Sequence, residues 1–404
     1  MPTPLAARAG LPLAALLCGL VASAAPRVAV VPDDATPFRR LHVFARDGAL
    51  PSGPLLEGAD GFLYGTTALD GTRAGGGTLY RLGADGSATI LHAFRGGADD
   101  GATPQGALVQ AADGSLVGTT LSGGAHELGT VWRCRLDGAC AVLHAFSGTD
   151  GDGANPMAGL VRASDGNLYG TTAAGGAGHG TVFRVTPEGR TTIVHAFLAD
   201  AADAGNIPQA ELAQGRDGAL YGTTAVDGRG GGGVAFRLTL AGEYAVLHDF
   251  AGDAQGRGPS ALVQASDGNF YGTTHGGGAH AWGTVFRITP EGVLTTLHDF
   301  DLDGAGGVDP RSALIDGGDG YLYGTTTKGG RAARACGGAG CGTVYRTTLA
   351  GATTTLHSFD DRHPGNAPAA GVTRTRGGHL VGTTADTATG EFRGIAFSLG
   401  EPGR

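Results

Sequence analysis

The chain lacks most of what a helical, membrane-spanning or nucleic-acid-binding protein requires. Beyond residue 24 no stretch carries the 3.6-residue apolar period of an amphipathic helix, and no second apolar run follows Leu11–Val21. Positive charge is scarce, with 28 Lys and Arg against 37 Asp and Glu for a net −9. That balance makes a poor partner for nucleic acid or an anionic membrane. The acids are dispersed rather than blocked, as on a solvated surface. There is no Ser nucleophile elbow, zinc motif, phosphate loop or dinucleotide fingerprint. The 77 glycines lack the strict every-third period of collagen, and Leu, Val, Phe and Tyr lie between them too often for simple disorder. What remains is a chain of short strands and many turns.

The N-terminus is the exception. Arg8, an apolar run Leu11–Val21 and then Ala22-Ser23-Ala24 follow the order of a secretory signal peptide cleaved after Ala24. The run is short for a span of about 20 residues. Cys18 does not read as a lipidation site, because Leu17 stands where a small residue is needed. Cleavage would remove one charge, Arg8, moving the net charge from −9 to −10. A secreted or periplasmic protein is expected, with residues 25–37 as a linker, no C-terminal anchor and no membrane span. A monomer is expected. Four cysteines then remain in two local pairs. Cys134 and Cys140 flank the turn Leu136-Asp137-Gly138, and Cys336 and Cys341 bracket Gly-Gly-Ala-Gly. An even count in an exported chain reads as two disulfides rather than a thiolate metal site.

Three markers recur. Gly-Thr-Thr begins at Gly65, Gly118, Gly170, Gly222, Gly272, Gly324 and Gly382, with spacings of 53, 52, 52, 50, 52 and 58. A Gly-Thr-Val-Phe-Arg-like stretch begins at Gly77, Gly129, Gly180, Gly233, Gly283, Gly342 and Gly394. A Leu-His-x-Phe stretch (once Val-His-x-Phe) places its histidine at His42, His92, His144, His195, His248, His298 and His357. A period near 50 points to a propeller or solenoid. Each unit reads as four strands; in the third they are Ala158–Arg162, Asn167–Thr172, Thr181–Val185 and Thr191–Phe197. An Asp-Gly turn joins the first two and Pro187-Glu188-Gly189 the last two.

The order of markers at the ends selects between the two architectures. The chain opens with a lone fourth strand, Leu41-His42-Val43-Phe44, and closes with a third strand, Gly394–Leu399, that has no fourth after it. Seven complete four-stranded blades result only if the N-terminal strand joins the C-terminal three, as in a closed propeller. The expected fold is therefore an all-β, seven-bladed β-propeller over residues 38–400.

Asp-Gly-Asn-Leu-Tyr-Gly-Thr-Thr, then Gly-Gly, then Gly-Thr-Val-Phe-Arg resembles the GloVer tandem repeat of the choice-of-anchor proteins. The resemblance covers about residues 38–399 and implies an exported bacterial protein of a family without a settled activity. Blade 7 departs most, with Phe392-Arg393-Gly394-Ile395-Ala396-Phe397-Ser398. The sorting segment common in that family is not seen. A weaker likeness extends to propellers of sensor-kinase periplasmic domains and of a lyase family.

A residue present in every blade is explained by what every blade needs. Period-two alternation puts Ile90, His92 and Phe94 on one face, toward a neighbouring blade, so the seven histidines read as inter-blade hydrogen-bonding groups. The repeated Thr pairs and turn Asp residues read as turn and strand-end groups. Asp150-Gly151-Asp152-Gly153-Ala154-Asn155 and Asp301-Leu302-Asp303-Gly304 alternate oxygen donors that suit calcium, without the twelve-residue loop pattern. No other cofactor is implied.

Function is expected where blades differ, above all in the loops between second and third strands (b–c loops) at the channel mouth. These supply Asp70 and Arg73 in blade 1, His126 and Glu127 in blade 2, His179 in blade 3, and Asp227 and Arg229 in blade 4. Blade 5 adds His275, His280 and Trp282, blade 6 Lys328, Arg331 and Arg334, and blade 7 Asp386 and Glu391. Trp282 could stack on a sugar ring, and Arg331 and Arg334 could grip carboxylates. A non-catalytic binding or scaffold module is expected, taking a glycan or a cell-surface protein on the face shared by the b–c and d–a loops. The alternative is a polysaccharide lyase or glycoside hydrolase, for which His126 with Glu127 or His179 are the candidates.

Overall fold

A computed structural model of the chain describes residues 29–30 and 37–400, apart from 46, 71–74, 199–204, 229, 253, 303–305, 332–335, 337, 339, 361–364 and 386–393. Seven antiparallel sheets form the seven blades, each with strands a to d in the order a-b-c-d from the channel outward. In blade 3 the strands are Val161–Arg162, Leu168–Thr172, Thr181–Val185 and Thr191–Ala196. The ring closes as the marker order requires: Phe38–Val43 pairs antiparallel with Ile395–Leu399, placing the first long strand outermost in blade 7. Residues Ala29–Val30, within the expected linker, also pair, running parallel to strand d of blade 6, Thr353–Ser358.

The hydrophobic core is divided into seven clusters, one per blade boundary. The third marker builds each of them. Its Phe packs against the aromatic of strand c in the next blade, with ring centroids 4.9–5.4 Å apart: Phe44 on Tyr80, Phe94 on Trp132, Phe146 on Phe183 and so on to Phe359 on Phe397. Each buried aromatic is worth roughly 1.5–3 kcal/mol, plus about 1 kcal/mol for the ring pair. Phe44 and Tyr80 lie in the cluster between blades 7 and 1, so the boundary that closes the ring carries the same aromatic pair as the others.

The other markers serve the same boundaries. The Gly of Gly-Thr-Thr lies under the strand c aromatic of its own blade, where a β-carbon on Gly170 would sit 2.6 Å from Phe183. The Gly that opens strand c has a positive φ, 94° at Gly180, and faces the proline that begins the next blade's channel stretch, Pro208. In blades 2 to 6 the first Thr of Gly-Thr-Thr donates to the next blade's inner stretch, as Thr119 does to the Ala158 carbonyl at 2.8 Å, whereas the buried Thr66 and Thr383 hydroxyls make no such bond. The second meets strand c, as in Thr172 Oγ1 to Thr181 Oγ1 at 2.7 Å. Both threonines are buried, and in blades 3, 6 and 7 the second one ends strand b, where the Thr172 and Thr326 hydroxyls also bond the carbonyls of Ala174 and Lys328, so they act as strand-end groups as expected. The turn Asp does act locally: Asp165 accepts from the Asn167 N–H and, at 2.8 Å, from the Tyr169 hydroxyl.

Strand d departs from simple alternation. His92 stands opposite Leu79 while Ile90 stands opposite Tyr80, so Leu91 forms a β-bulge, and the same bulge recurs in all seven blades. Leu91 and His92 are consequently half-buried together and Ile90 is exposed. The expectation that Ile90 shares a packed face with His92 and Phe94 is thus corrected. The bulged Leu91 carbonyl faces Gly138 in the c–d turn of blade 2, so that glycine permits close blade approach as well as a positive φ.

Candidate functional site

The seven histidines stay apart, held by groups at their own boundaries. His92 and His144 face Asp100 and Asp152 at 3.2 Å, and His42 faces Asp47 at 2.6 Å and the Gly86 carbonyl of blade 1. His195 and His357 stack on Tyr244 and Phe38. Asp152 also accepts the N–H groups of Ser147 and Gly153, so the calcium-like stretch around it spends this carboxylate on donors. Asp303 lies outside the described residues. Among the described residues no group of three or more His, Cys, Asp or Glu is placed to hold a metal. Both cysteine pairs are disulfides: Cys134–Cys140 directly across the c–d hairpin of blade 2, and Cys336–Cys341 in the b–c loop of blade 6.

The b–c loop residues divide into three groups. His126, Glu127 and His280 are exposed at loop tips and do not line the central cavity. His179 is half-buried, its carbonyl taking the Ile207 N–H at 3.3 Å. Trp282 is half-buried and packs against the core between blades 5 and 6, while its carbonyl accepts the Asp309 N–H at 3.1 Å. Arg331 is exposed, and Arg73, Arg229, Arg334, Asp386 and Glu391 lie outside the described residues. Among the described candidates, His275 lines the central channel and Lys328 lies beside it through its pairing with Asp309, a residue not singled out from the sequence.

That place is the mouth of the central channel at blades 5 and 6. The channel is lined by the inner stretches of all seven blades and encloses about 560 Å³, within the range of small-molecule sites. At its rim the Arg311 Nε donates to Asp309 Oδ1 at 2.9 Å, and Lys328 Nζ lies 3.6 Å from Asp309 Oδ2. The Thr327 hydroxyl donates to the same Oδ2 at 2.9 Å. Asp309 is buried, whereas the side chains of Arg311 and Lys328 are more than half exposed. Two cations therefore share one buried carboxylate and leave positive charge facing solvent in an acidic protein.

His275 completes the mouth through a local substitution. Each inner stretch begins with a left-handed residue before its proline: Leu50, Thr103, Asn155, Ile207, Asp309 and Ala367, with φ of 52–61°. Such a conformation costs about 1–3 kcal/mol in a non-glycine residue, yet its recurrence makes it a property of the ring. In blade 5 the position is Gly258, φ 61°, and the His275 imidazole fills the space a side chain would need. Burial holds the His275 pKa below its ordinary value, and the neighbouring Arg311 and Arg257 add to that effect against Asp309.

Two carboxylates line the channel itself, the exposed Asp316 at the end of strand a in blade 6 and Glu211 in the wall. The inner stretches share a register of Pro, two or three residues, then Leu or Val; the residue just before that Leu or Val is Pro54, Ala107, Gly159, Glu211, Ala261, Ala313 or Gly371. Glu211 alone is charged. It lines the cavity, and its carboxylate accepts the N–H groups of Ala107, at 2.8 Å, and Gly159. Burial raises its pKa, opposed by those two amides. Aligning the blades on their prolines exposes Glu211, and also Asp309 and Gly258, as singular residues; aligning on the Gly-Thr-Thr marker alone draws the eye to the loops instead.

Comparison with known proteins adds the family and the fold. The model of the Gloeobacter/Verrucomicrobia repeat matches residues 30–216 and again 207–403. No curated protein matches the chain. A streptogramin B lyase structure is similar at 14% identity, covering 90% of this chain and 98% of that one with a TM-score of 0.59. The extracellular domain assigned to a hybrid two-component system of B. thetaiotaomicron is similar at 10% identity, covering 91% of this chain and 43% of that one with a TM-score of 0.58. At such identities the likeness is one of fold.

Proposed function

The chain belongs to the Gloeobacter/Verrucomicrobia repeat family, and on that footing we propose that it is an exported, non-catalytic binding module that takes an acidic glycan at the channel mouth. Export rests on the signal-like N-terminus and on two disulfides of a kind that persist in oxidising compartments. One observation carries the ligand class: Arg311 and Lys328 converge on the single buried carboxylate of Asp309 at the rim of a channel of ligand size. Asp309 orients both cations, and their remaining N–H donors are free to meet a sugar carboxylate in charge-assisted hydrogen bonds. The channel wall below supplies hydroxyl oxygens, among them Ser52 and Thr373, whose protons go to the Pro104 and Leu55 carbonyls and which are left as acceptors for a neutral sugar body.

The binding reading is preferred to catalysis because the two candidate acid–base residues of blade 2, His126 and Glu127, sit exposed at a loop tip away from the cavity. Isothermal titration with oligogalacturonate and with its carboxyl-reduced counterpart tests the proposal. Binding of the acidic oligomer alone is expected, weakened at least about tenfold by Arg311→Ala and weakened by salt. Equal binding of both oligomers, or no effect of the substitution, would remove the charge argument. Release of unsaturated or reducing ends during the titration would replace a binder with an enzyme.

A further inference from the structure

Glu211 is not explained by the ring. Six blades place Pro, Ala or Gly at its position, and the boundaries they form need no carboxylate. Nor is it a metal ligand on the geometry at hand. The Ala158 and Ala210 carbonyls beside it accept the hydroxyls of Thr119 and Thr171, which leaves amide donors facing the axis. Blades 1 to 3 approach closely there. A β-carbon on Gly106 would collide with the Gly159 backbone, and one on Gly159 would sit 2.6 Å from the Ala107 carbonyl and from Glu211 itself. Their inner strands are sheet edges, whose channel-side N–H groups lack ladder partners. The Glu211 carboxylate takes two of these, from Ala107 and Gly159.

An ionised carboxylate has room for about four donors. Two are supplied by the protein, and the remaining acceptor positions open on the cavity that Arg311 and His275 reach from the rim. The channel is thus polarised, with cations at one mouth, the Glu211 carboxylate in the wall and Asp316 at the far end of the blade 6 inner strand. We propose that Glu211 is a specificity-determining residue of this site: it accepts hydroxyl donors from the end of an acidic sugar that enters the channel and rejects a second carboxylate there. This rests on the mouth binding a sugar carboxylate, as argued above. The chemical class selected is a glycan end with one carboxylate directed to Arg311 and Lys328 and a neutral, hydroxyl-bearing face directed inward.

Digalacturonate and its two monomethyl esters serve as probes in calorimetric titration of the full chain. The wild-type protein should bind one monomethyl ester about tenfold more tightly than the diacid, the repulsion expected of two carboxylates several ångströms apart in a partly desolvated channel. Glu211→Gln keeps an oxygen for the Ala107 N–H and should bring the two affinities within about twofold. Ala261→Glu, which adds a carboxylate at the matching position of blade 5, should steepen the preference, and it keeps the test decisive if Glu211→Gln does not fold. An Arg311-dependent affinity with an unchanged ester preference in these variants would overturn the role of Glu211 alone. Absence of binding by every probe to the wild type would overturn the mouth reading and this one with it.

Discussion

Replacing Tyr345 by Phe should stabilise the protein. The strand c aromatic is Phe183, Phe236, Phe286 and Phe397 in four blades, each packed over the glycine of its own Gly-Thr-Thr. In blade 6 the ring is Tyr345, fully buried, its hydroxyl without a hydrogen-bond partner and 2.7 Å from where a β-carbon on Gly324 would lie. Burial drives its pKa far above the ordinary tyrosine value. A buried hydroxyl without a partner costs about 1–3 kcal/mol. Deleting one oxygen leaves a void of roughly 10–15 Å³, worth about 0.3 kcal/mol of cavity cost. The net expectation is a gain of about 1 kcal/mol or more. Tyr80 repeats the arrangement at the boundary of blades 7 and 1. The two sites lie in separate clusters, so Tyr80→Phe with Tyr345→Phe should add to about 2 kcal/mol. Urea unfolding with the m-value held constant reads this as a raised midpoint. A midpoint lowered by the equivalent of 1 kcal/mol would show that each hydroxyl has a partner, and the argument from the repeat would fail.

Three further outcomes follow from the same geometry. Gly180→Ala, which forces a side chain into a φ of 94° against Thr172 and Pro208, should cost about 3 kcal/mol or more in urea unfolding; a loss under 1 kcal/mol would mean that this boundary relaxes easily. The Cys134–Cys140 disulfide closes only a short loop, so reducing it, or replacing both cysteines by Ser, should cost about 2 kcal/mol at most, since six other c–d hairpins manage without it; collapse of the fold on reduction would contradict that. Folded His275 takes up its proton at lower pH than the unfolded chain. Its contribution to stability is therefore complete above about pH 6.5 and is lost as pH falls through the lower folded value. Over the same fall, protonation adds charge to the mouth and should tighten oligogalacturonate binding. The His275→Ala variant should lose that tightening, and an identical pH profile would exclude His275 from the site.

How much could be read beforehand follows from what repeats. The seven blades, the closure by Phe38–Val43 and both disulfides were legible, because each depends on spacing along the chain. The bulge at Leu91 was not, since period-two alternation carries no mark of one inserted residue. Only part of the proposed site stands out in the sequence. His275 and Lys328 stood out as loop residues, but Asp309 and Glu211 lie in inner stretches that read as scaffold. Their singularity appears only when the prolines are brought into register, because the loops before them differ in length. Trp282 stood out by its size, yet its ring packs on the core between blades 5 and 6 and its backbone holds Asp309.

The central claim is that what all blades share builds the ring, and that the unshared residues at blades 5 and 6 bind an acidic glycan. A crystal of the protein grown with digalacturonate tests it most directly. The account predicts a sugar carboxylate within hydrogen-bond reach of Arg311 and Lys328, with the sugar body entering the channel toward Glu211. Sugar bound only at the exposed loop tips of blade 2, or an empty channel at saturating ligand, would contradict it.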